Sequence, residues 1–416
     1  MDHKIGIIGA GVGGLHLALY LQKQGLQSTV ITDRTPEQYP STRLMNTVAH
    51  HSVTVARENE LGVNHWDDAG FIYHHHDHSF NFPGSPLLFR GRFKKPSRAV
   101  DYRIYLPALM QDFSQRGGRI EYASIQDDDI AALVDRFDLL VVSTGKGALG
   151  RMFAFRPEHS PYTQPQRILC VGLYEGVDNG GSRADDPRGV TLSVSPGHGE
   201  MIVIPTLTFS GMQTALLMEN IPGADMADIV SLDYNADPAG FRQTILDKLE
   251  KHHPHTYNRI DTHRFGLAQP LDLLQGAVVP TVRQSAVAFD NGKLAVALGD
   301  VQSVVDPLMG QGANMASYAA FELGKAIVET SAFDARFVEQ VDRARENRVL
   351  AASRWTNLML QPPSEALGRL IFTMAQNQAL CDEFTENFNY PERQWDRLAS
   401  EKRTHAWIDS LTPLAA

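Results

Sequence analysis

The stretch that decides the fold is KIGIIGAGVGGL, which occupies residues 4–15. It begins as a short apolar strand and continues into a G-x-G-x-x-G turn that opens a helix over 15–24. Residues 28–32 then predict a second strand. Strand, glycine turn, helix and strand in this order are typical of a nucleotide-binding β-α-β unit. Its glycines let the backbone approach a pyrophosphate, and the helix N-terminus offers that group free amides. The three motif glycines are Gly9, Gly11 and Gly14.

The residues that follow the second strand bear on which nucleotide binds. Asp33 is placed to bind the ribose hydroxyls of an adenosine through its carboxylate. Arg34 leaves two roles open, because a guanidinium could accept a 2′-phosphate or stack on adenine. The N-terminal motif alone therefore does not distinguish NAD from FAD.

A second motif near residue 300 makes that distinction. Gly299 and Asp300 follow an apolar strand, and the run DPLMGQGAN occupies 306–314. This run resembles the second FAD fingerprint of the aromatic-hydroxylase type of flavoprotein. The resemblance implies that Asp300 holds the ribityl hydroxyls and that Pro307 lies beside the isoalloxazine ring. It also implies a helix that points its amides at the flavin, where they stabilise the negative charge of reduced flavin. The cofactor contacts expected in this helix start are Gly310, Gly312 and Asn314.

Two arginines are further candidates for cofactor binding. Arg43 follows the second strand, and Arg98 stands at the start of the next predicted helix. In similar flavoproteins, arginines at these places meet the flavin or its phosphates. A surface ion pair is the alternative for each of them.

The order of elements predicts the architecture. The expected fold class is α/β, with a Rossmann-like FAD-binding domain of the aromatic-hydroxylase type, an inserted antiparallel-sheet substrate domain and a helical C-terminus. The FAD-binding domain is expected to be discontinuous, over 1–45, 98–181 and 286–330. The remaining expected regions are a substrate-binding domain over 46–97 and 182–285 and a helical C-terminal region over 331–416.

Composition excludes several classes of partner. The chain has 416 residues, of which 43% are hydrophobic, enough for two domains. Its 48 acidic and 38 basic residues give a net charge of −10 without a basic block, which argues against nucleic acid or an anionic membrane as partner. Cys170 and Cys381 show no metal-binding or redox spacing, which is typical of a reducing cytosol. The apolar N-terminal stretch is too short and glycine-rich to span a membrane, so we expect a soluble, cytoplasmic protein.

Longer runs of sequence are similar to the oxygenase component of two-component styrene monooxygenases. That resemblance implies a homodimeric, FAD-dependent epoxidase acting on a small aromatic alkene with O2. It also implies that reduced FAD arrives as a diffusible co-substrate from a separate NADH-dependent flavin reductase. Close relatives epoxidise indole instead. The runs that carry the resemblance are RLMNTVAHHSVTV, KKPSRAVDYRIY, LLVVSTGKGALG, SPGHGEMIVIPTLTF, LGDVQSVVDPLMGQGANMASYAA and DEFTENFNYPERQWDR.

The same resemblance implies a substrate pocket beside the flavin. We expect Asn46, Pro307 and Gly310 to form the catalytic centre. Oxygen transfer from a flavin hydroperoxide needs no side-chain base, but it needs a shielded and oriented alkene. Asn46 is therefore expected to position groups by hydrogen bonding, whereas ordinary packing is the alternative for the pocket histidines and tyrosine. Together with Asn46, the pocket positions are Leu44, Val48, His50, Tyr73, His76 and Ser97.

Other interpretations of the function remain open at this point. A single-component aromatic hydroxylase shares both FAD motifs, and an indole monooxygenase belongs to the same family. A flavin-dependent halogenase would be expected to show a WxWxIP segment, which none of the four tryptophans forms. A flavin-binding sensor without turnover is the non-enzyme alternative. The cluster His74–His78 is interpreted as a solvated or edge segment, with no metal expected, because alternate histidines on a strand face opposite ways.

Overall fold

The computed structural model describes residues 3–68, 70–181 and 187–411, and within them the chain forms two large β-sheets flanked by helices. The strands are β1 (Ile5–Ile8), β2 (Ser28–Thr32), β3 (Ala49–His50), β4 (Ile72–Phe80), β5 (Leu87–Ala99), β6 (Arg119–Tyr122), β7 (Leu139–Val142), β8 (Ile168–Glu175), β9 (Val190–Ser195), β10 (Gly199–Thr208), β11 (Gly211–Asn220), β12 (Gly266–Leu267), β13 (Leu273–Ala277), β14 (Thr281–Val282), β15 (Ala286–Ala288), β16 (Leu294–Ala297) and β17 (Ser303–Val304). The helices are α1 (Val12–Lys23), α2 (Ser52–Leu61), α3 (Tyr102–Gln115), α4 (Ile130–Arg136), α5 (Pro238–His252), α6 (Pro254–Tyr257), α7 (Gly312–Glu329), α8 (Ala335–Met359), α9 (Glu365–Met374), α10 (Gln378–Glu386), α11 (Pro391–Leu398) and α12 (Glu401–Leu411).

The first sheet has the strand order β15-β16-β7-β1-β2-β6 and is parallel except where β15 joins β16. Every residue of β1, β2, β7 and β16 is buried. The reason is that α1, α3 and α7 cover one face of this sheet, whereas α4 covers the other. Strands of parallel sheets that are covered on both faces have continuous apolar sequences, as these strands do. This sheet is the Rossmann-like part of the fold.

The turn from β1 to α1 is as tight as the glycine motif predicts. Gly9 has a φ of +108°, which glycine adopts without strain. Its N–H donates to the carbonyl oxygen of Ile31 at 2.8 Å. A Cβ at Gly14 would lie 2.1 Å from the carbonyl oxygen of Gly9. Helix α1 therefore starts in direct contact with the turn, at the carboxyl edge of the sheet.

The second sheet has the order β12-β8-β11-β10-β9-β4-β5-β3, and β13 also pairs with β8. Its pairs are antiparallel except β4 with β9. One face packs on α5, where Met201 and Met218 meet Phe241. The opposite face packs on the C-terminal helices, which contribute Trp355 and Trp407. The sheet is thus covered on both sides, and the C-terminal helices form part of its core.

Two strands depart from the expected domain boundaries. Residues 98–181 were assigned to the cofactor part, but β8 pairs with β11 and β13 inside the second sheet. Strand β5 also runs across the expected boundary at residue 98. Because β8 is buried on both faces, its sequence lacks the alternation that would have marked it as a strand of the antiparallel sheet. The division into two functional domains stays a prediction.

The rest of the architecture follows the sequence-based expectation. After residue 331 the described chain is helical, and α8 packs against both α7 and α11. The α/β fold class with a helical C-terminus is confirmed. Across the described residues, none of the helices combines the length and apolar character required to cross a bilayer.

The histidine cluster is not the solvated or edge segment that we expected. His74–His78 lies on β4, which is hydrogen-bonded on one side to β5 and on the other to β9. His74 is exposed, whereas the other residues of the cluster are buried. Asp77 forms an ion pair with Arg90, with Oδ1 and Nε 2.6 Å apart. The strand is interior because the second sheet contains β9, whose pairing with β4 the local sequence does not show. In the described part of the chain, no three His, Cys, Asp or Glu side chains are grouped to hold a metal ion.

Candidate functional site

A cavity of about 880 Å³ lies where the two sheets meet. On one side it is lined by segments that follow strands of the first sheet, namely 9–13 after β1, 32–34 after β2, 143–149 after β7 and 299–300 after β16. Open α/β sheets bind their ligands at this carboxyl edge. On the other side the cavity meets the second sheet, which contributes the apolar side chains Leu169, Val171, Leu217 and Leu274.

The glycine turn forms one end of the cavity, and two of the motif glycines line it as expected. Gly11 is the N-cap residue of α1, and no described side chain caps this helix. The first amides of α1 are therefore free to bind an anion. A Cβ at Gly11 would meet nothing within 4 Å, so the space beside it is open to a ligand. Gly9 also lines the cavity, whereas Gly14 lies behind the turn and serves the packing of α1.

The residues expected to bind adenosine also line the cavity. Asp33 is exposed there, at the end of β2. The guanidinium of Arg34 lies over the ring of Tyr39, 5.3 Å from its centroid. A guanidinium at this place can stack on an adenine ring.

The second motif reaches the same cavity through what we call the flavin loop, residues 306–312. Pro307, Gly310 and Gly312 line the cavity together with Asp300. Burial raises the pKa of Asp300, and the positive charge of Lys146 opposes this rise. Helix α7 starts at the end of the loop, and none of the described side chains caps its N-terminus. Both sequence motifs thus converge on one site.

Three buried polar atoms of the cavity lining lack a hydrogen-bond partner among the described residues: Asn46 Oδ1, Thr47 Oγ1 and Thr144 Oγ1. Buried polar atoms in proteins are normally paired, so these atoms are positions that a bound ligand can satisfy. Together with the open space at Gly11 and the free amides of α1 and α7, they fit the polar groups of FAD. Val48 lines the cavity next to Thr47 and supplies apolar surface.

Three of the expected pocket residues lie one layer behind the cavity wall. Leu44 and Tyr73 belong to the apolar cluster that also holds Leu308 and Met309 of the flavin loop. Ser97 faces Tyr73 across the β4–β5 pair, and burial raises the pKa of this tyrosine. Among the described lining residues none of the three appears. Leu44 and Tyr73 therefore pack in the apolar core that includes the flavin loop.

His76 is likewise packed behind the wall. Its ring meets the rings of Phe93 and Phe388 edge-on, with centroids 4.7 and 4.6 Å away. Burial lowers its pKa well below the ordinary value for histidine. His76 is therefore neutral and acts as an aromatic packing residue at this place.

His50, Arg98 and Arg43 lie outside the described cavity lining, although contacts with the substrate or the cofactor were expected for them. His50 Nδ1 lies 2.6 Å from Glu58 Oε1, and its Nε2 lies 2.8 Å from the Tyr102 hydroxyl. Arg98 donates to the other oxygen of Glu58. Both side chains are occupied by this buried carboxylate, which comes from α2 and which sequence reasoning missed. Arg43 is exposed, and the described lining of the cavity includes none of the three.

Asn314 binds protein groups with its whole amide. Its Nδ2 donates to the carbonyl oxygens of Gly310 at 2.8 Å and Ala49 at 2.9 Å. Its Oδ1 accepts from the N–H of His51 at 3.0 Å and the hydroxyl of Thr54 at 2.7 Å. An amide has two donors and two acceptor lone pairs, so this side chain has no capacity left for the cofactor. Its role is to fasten the flavin loop to the segment 49–54.

Several lining residues were not predicted. Lys146 and Arg151 come from the chain after β7, and Tyr102 comes from the first turn of α3. The signal that could have found the first two is the loop Ser143–Gly145, which follows an apolar strand and so reaches the carboxyl edge of the sheet. Tyr102 gives no such local signal, because its position depends on how α3 packs.

Two known proteins are similar to this chain over its full length. One relative, from Pseudomonas fluorescens, is described as styrene monooxygenase StyA and is 49% identical over 422 residues. A second, from a Pseudomonas species and described in the same words, is 48% identical over 421 residues. Each alignment covers 100% of this chain and 100% of the relative. This chain belongs to the styrene monooxygenase family.

Further comparisons agree with the styrene monooxygenase family. A family model for the substrate-binding domain assigned to styrene monooxygenase A matches residues 145–259, a range that contains β8. Among solved structures, the flavin-dependent brominase Bmp2 covers 99% of this chain and 98% of its own, with a TM-score of 0.69 and 16% identity. The myxobacterial chondrochloren halogenase CndH covers the same shares, with a TM-score of 0.63 and 13% identity. These two share the fold. Family and fold together indicate FAD as the cofactor, as the two motifs predicted.

The first prediction concerns the glycine turn. Gly11→Val should weaken FAD binding about tenfold or more, because the side chain fills the space beside the α1 amides and hydrogen bonds to charged groups are worth roughly 1.5–3 kcal/mol. Equilibrium dialysis with FAD measures this, and thermal unfolding should stay close to that of the parent. Gly276→Val is the matched control, because Gly276 is exposed on β13, has open space around it and lies outside the described cavity lining. Parent-like FAD binding by a folded Gly11→Val variant would place the pyrophosphate elsewhere.

Proposed function

We propose that this protein is an FAD-dependent monooxygenase that epoxidises styrene or a similar aryl alkene with O2. The observation that carries the proposal is the shared cavity. The flavin loop and Asn46 line it together with apolar side chains from β8, β11 and β13. The vinyl group of an aromatic alkene cannot form hydrogen bonds, so a pocket must bind it through apolar side chains. Full-length similarity to two proteins described as styrene monooxygenase StyA supports the same substrate class.

Reduced FAD supplies the chemistry, since it activates dioxygen for transfer of one oxygen atom to the alkene. The protein supplies position, charge and exclusion of water. Pro307 and Gly310 form the wall against which the flavin ring is proposed to lie. The free amides at the start of α7 stabilise the negative charge of the reduced cofactor. The leucine and valine side chains of the second sheet hold the alkene and keep water away.

Asn46 is the polar group that we assign to the reacting end of the cavity. Its amide does not titrate in water, so it has no role in acid–base catalysis. Its buried Oδ1, which has no hydrogen-bond partner in the described part of the chain, can accept a hydrogen bond from a donor on the bound flavin or from a water molecule held there. We therefore propose that Asn46 positions the cofactor and the oxygen donor relative to the alkene.

The source of electrons and the assembly state follow from the same resemblance. We propose that a separate NADH-dependent flavin reductase supplies reduced FAD, which this chain takes up as a co-substrate. We also expect a homodimer. A sedimentation-equilibrium mass equal to that of a single 416-residue chain would contradict this expectation.

The second prediction tests the electron source and the substrate together. With NADH and FAD alone, the purified chain should oxidise NADH only at the background rate. Adding an unrelated flavin reductase should yield styrene oxide. Indole should be oxidised with lower efficiency, because apolar pockets separate such substrates by only about 1–3 kcal/mol. Rapid NADH oxidation by the chain alone would favour a single-component hydroxylase. A higher efficiency with indole would overturn the styrene assignment and leave the flavin chemistry intact.

The third prediction concerns Asn46. Asn46→Ala should lower the epoxide formed per reduced FAD and raise hydrogen peroxide, because without this positioning group the activated dioxygen would be released as hydrogen peroxide before the alkene reacts. Epoxide and peroxide are measured in the same reaction. Asn235→Ala is the control, since Asn235 is exposed and outside the described lining. An unchanged ratio of epoxide to peroxide in Asn46→Ala would remove this residue from the catalytic centre.

A further inference from the structure

A chain of buried polar side chains runs from the cavity wall into the packing between α1, α2 and α3. Tyr102 lines the cavity, and its hydroxyl lies 2.8 Å from His50 Nε2. His50 Nδ1 lies 2.6 Å from Glu58 Oε1. The hydroxyl of Tyr105 donates to the same oxygen at 2.7 Å, and Arg98 donates to Oε2. All five residues are buried, with at most 5% of any of them exposed.

The carboxylate in this chain is held in its charged form. Burial alone would raise the pKa of Glu58, but His50 and Arg98 outweigh it and bring the pKa down to about 2. An ionised carboxylate accepts hydrogen bonds and cannot donate one. The short contact to Glu58 Oε1 therefore requires a proton on His50 Nδ1.

A proton fixed on Nδ1 leaves two states for Nε2. In the neutral imidazole Nε2 accepts a hydrogen bond from the Tyr102 hydroxyl. In the imidazolium Nε2 donates to that oxygen, and the hydroxyl proton of Tyr102 is then free to point into the cavity. The charge on His50 thus decides whether Tyr102 offers the cavity a hydrogen-bond acceptor or a donor.

Several buried groups close to this chain of side chains have shifted pKa values. Burial lowers the pKa of His16, on α1, to about 3, and that of His51, next to it in the chain, also to about 3. Burial also raises the pKa of Tyr102 and Tyr105, on α3, well above the ordinary value. Glu58 from α2 stays negative. Arg98 from β5 stays positive, because a guanidinium is always protonated. Asp300, whose charge acts on Tyr102 from the cavity wall, has a pKa that burial raises.

We propose that Tyr102 is an FAD-binding residue that donates a hydrogen bond to the reduced cofactor, with His50 and Glu58 as the positioning residues that make it a donor. The reduced cofactor is anionic, so a hydrogen-bond donor at Tyr102 suits it better than an acceptor. Oxidised FAD has no charge on its ring system and gains less from such a donor. The inference rests on the proposed function, because it assumes that the cavity holds FAD.

The test measures binding of FAD to the full chain without any substrate. Dissociation constants for oxidised FAD and for chemically reduced FAD, the latter under anaerobic conditions, are measured at one pH for the parent and for each variant. Free FAD behaves identically in every arm, so the comparison between variants isolates the protein. Tyr102→Phe should lower the preference for reduced over oxidised FAD about tenfold, as expected for one hydrogen bond to a charged group. His50→Gln should lower the same preference.

Tyr105→Phe is the matched control, because it removes a buried hydroxyl from the same helix and the same carboxylate but lies outside the described cavity lining. It should keep the preference of the parent for reduced FAD. If Tyr102→Phe binds both forms like the parent, or if Tyr105→Phe loses the preference to the same extent, the inference is overturned. Because Tyr102→Phe removes a single oxygen atom, the test stands even if His50→Gln does not fold. Failure of the parent itself to bind FAD would instead contradict the proposed function.

Discussion

The four hydrogen bonds of the Asn314 side chain are the constraint on which the site depends. They join the carbonyl of Gly310, in the flavin loop, to the segment 49–54 that leads from β3 into α2. The residues just before this segment, 46–48, line the cavity. Because the amide uses both its donors and both its lone pairs, the loop and the pocket wall cannot shift independently. The flavin loop is thereby fixed to the chain segment that continues from the cavity wall.

The cavity is graded in polarity along its length. The end formed by the turns after β1, β2 and β7 carries charged side chains such as Asp33, Lys146 and Arg151, whereas the end formed by the second sheet is apolar. FAD has the same gradient, from its charged pyrophosphate and adenosine to its planar ring. A ligand bound in this direction brings its ring to the apolar end, where water is scarce and an aromatic alkene is favourably held. We take this gradient as the physical reason why the protein can combine flavin chemistry with an apolar substrate.

The parts of the structure that were predicted from sequence are those fixed by neighbours in the chain. The turn at Gly9 and the flavin loop at Pro307–Gly310 depend on backbone geometry that a few adjacent residues set. The expectations for His50 and Arg98 differ from the structure because their partner, Glu58, comes from another element and no local pattern announces it. For the same reason β4 was mistaken for an edge: the strand beside it, β9, lies more than a hundred residues away in sequence. The partners of buried polar groups and the neighbours of strands are set by tertiary structure, so they cannot be predicted from the sequence of one segment.

A crystal structure of this chain with bound FAD tests the central claim most directly. The account predicts the pyrophosphate at the first amides of α1, beside Gly11, and the isoalloxazine ring against Pro307 and Gly310. It also predicts that one face of the ring looks toward Asn46 and the apolar side chains of the second sheet. A ring bound outside this cavity, or turned away from the second sheet toward solvent, would contradict it.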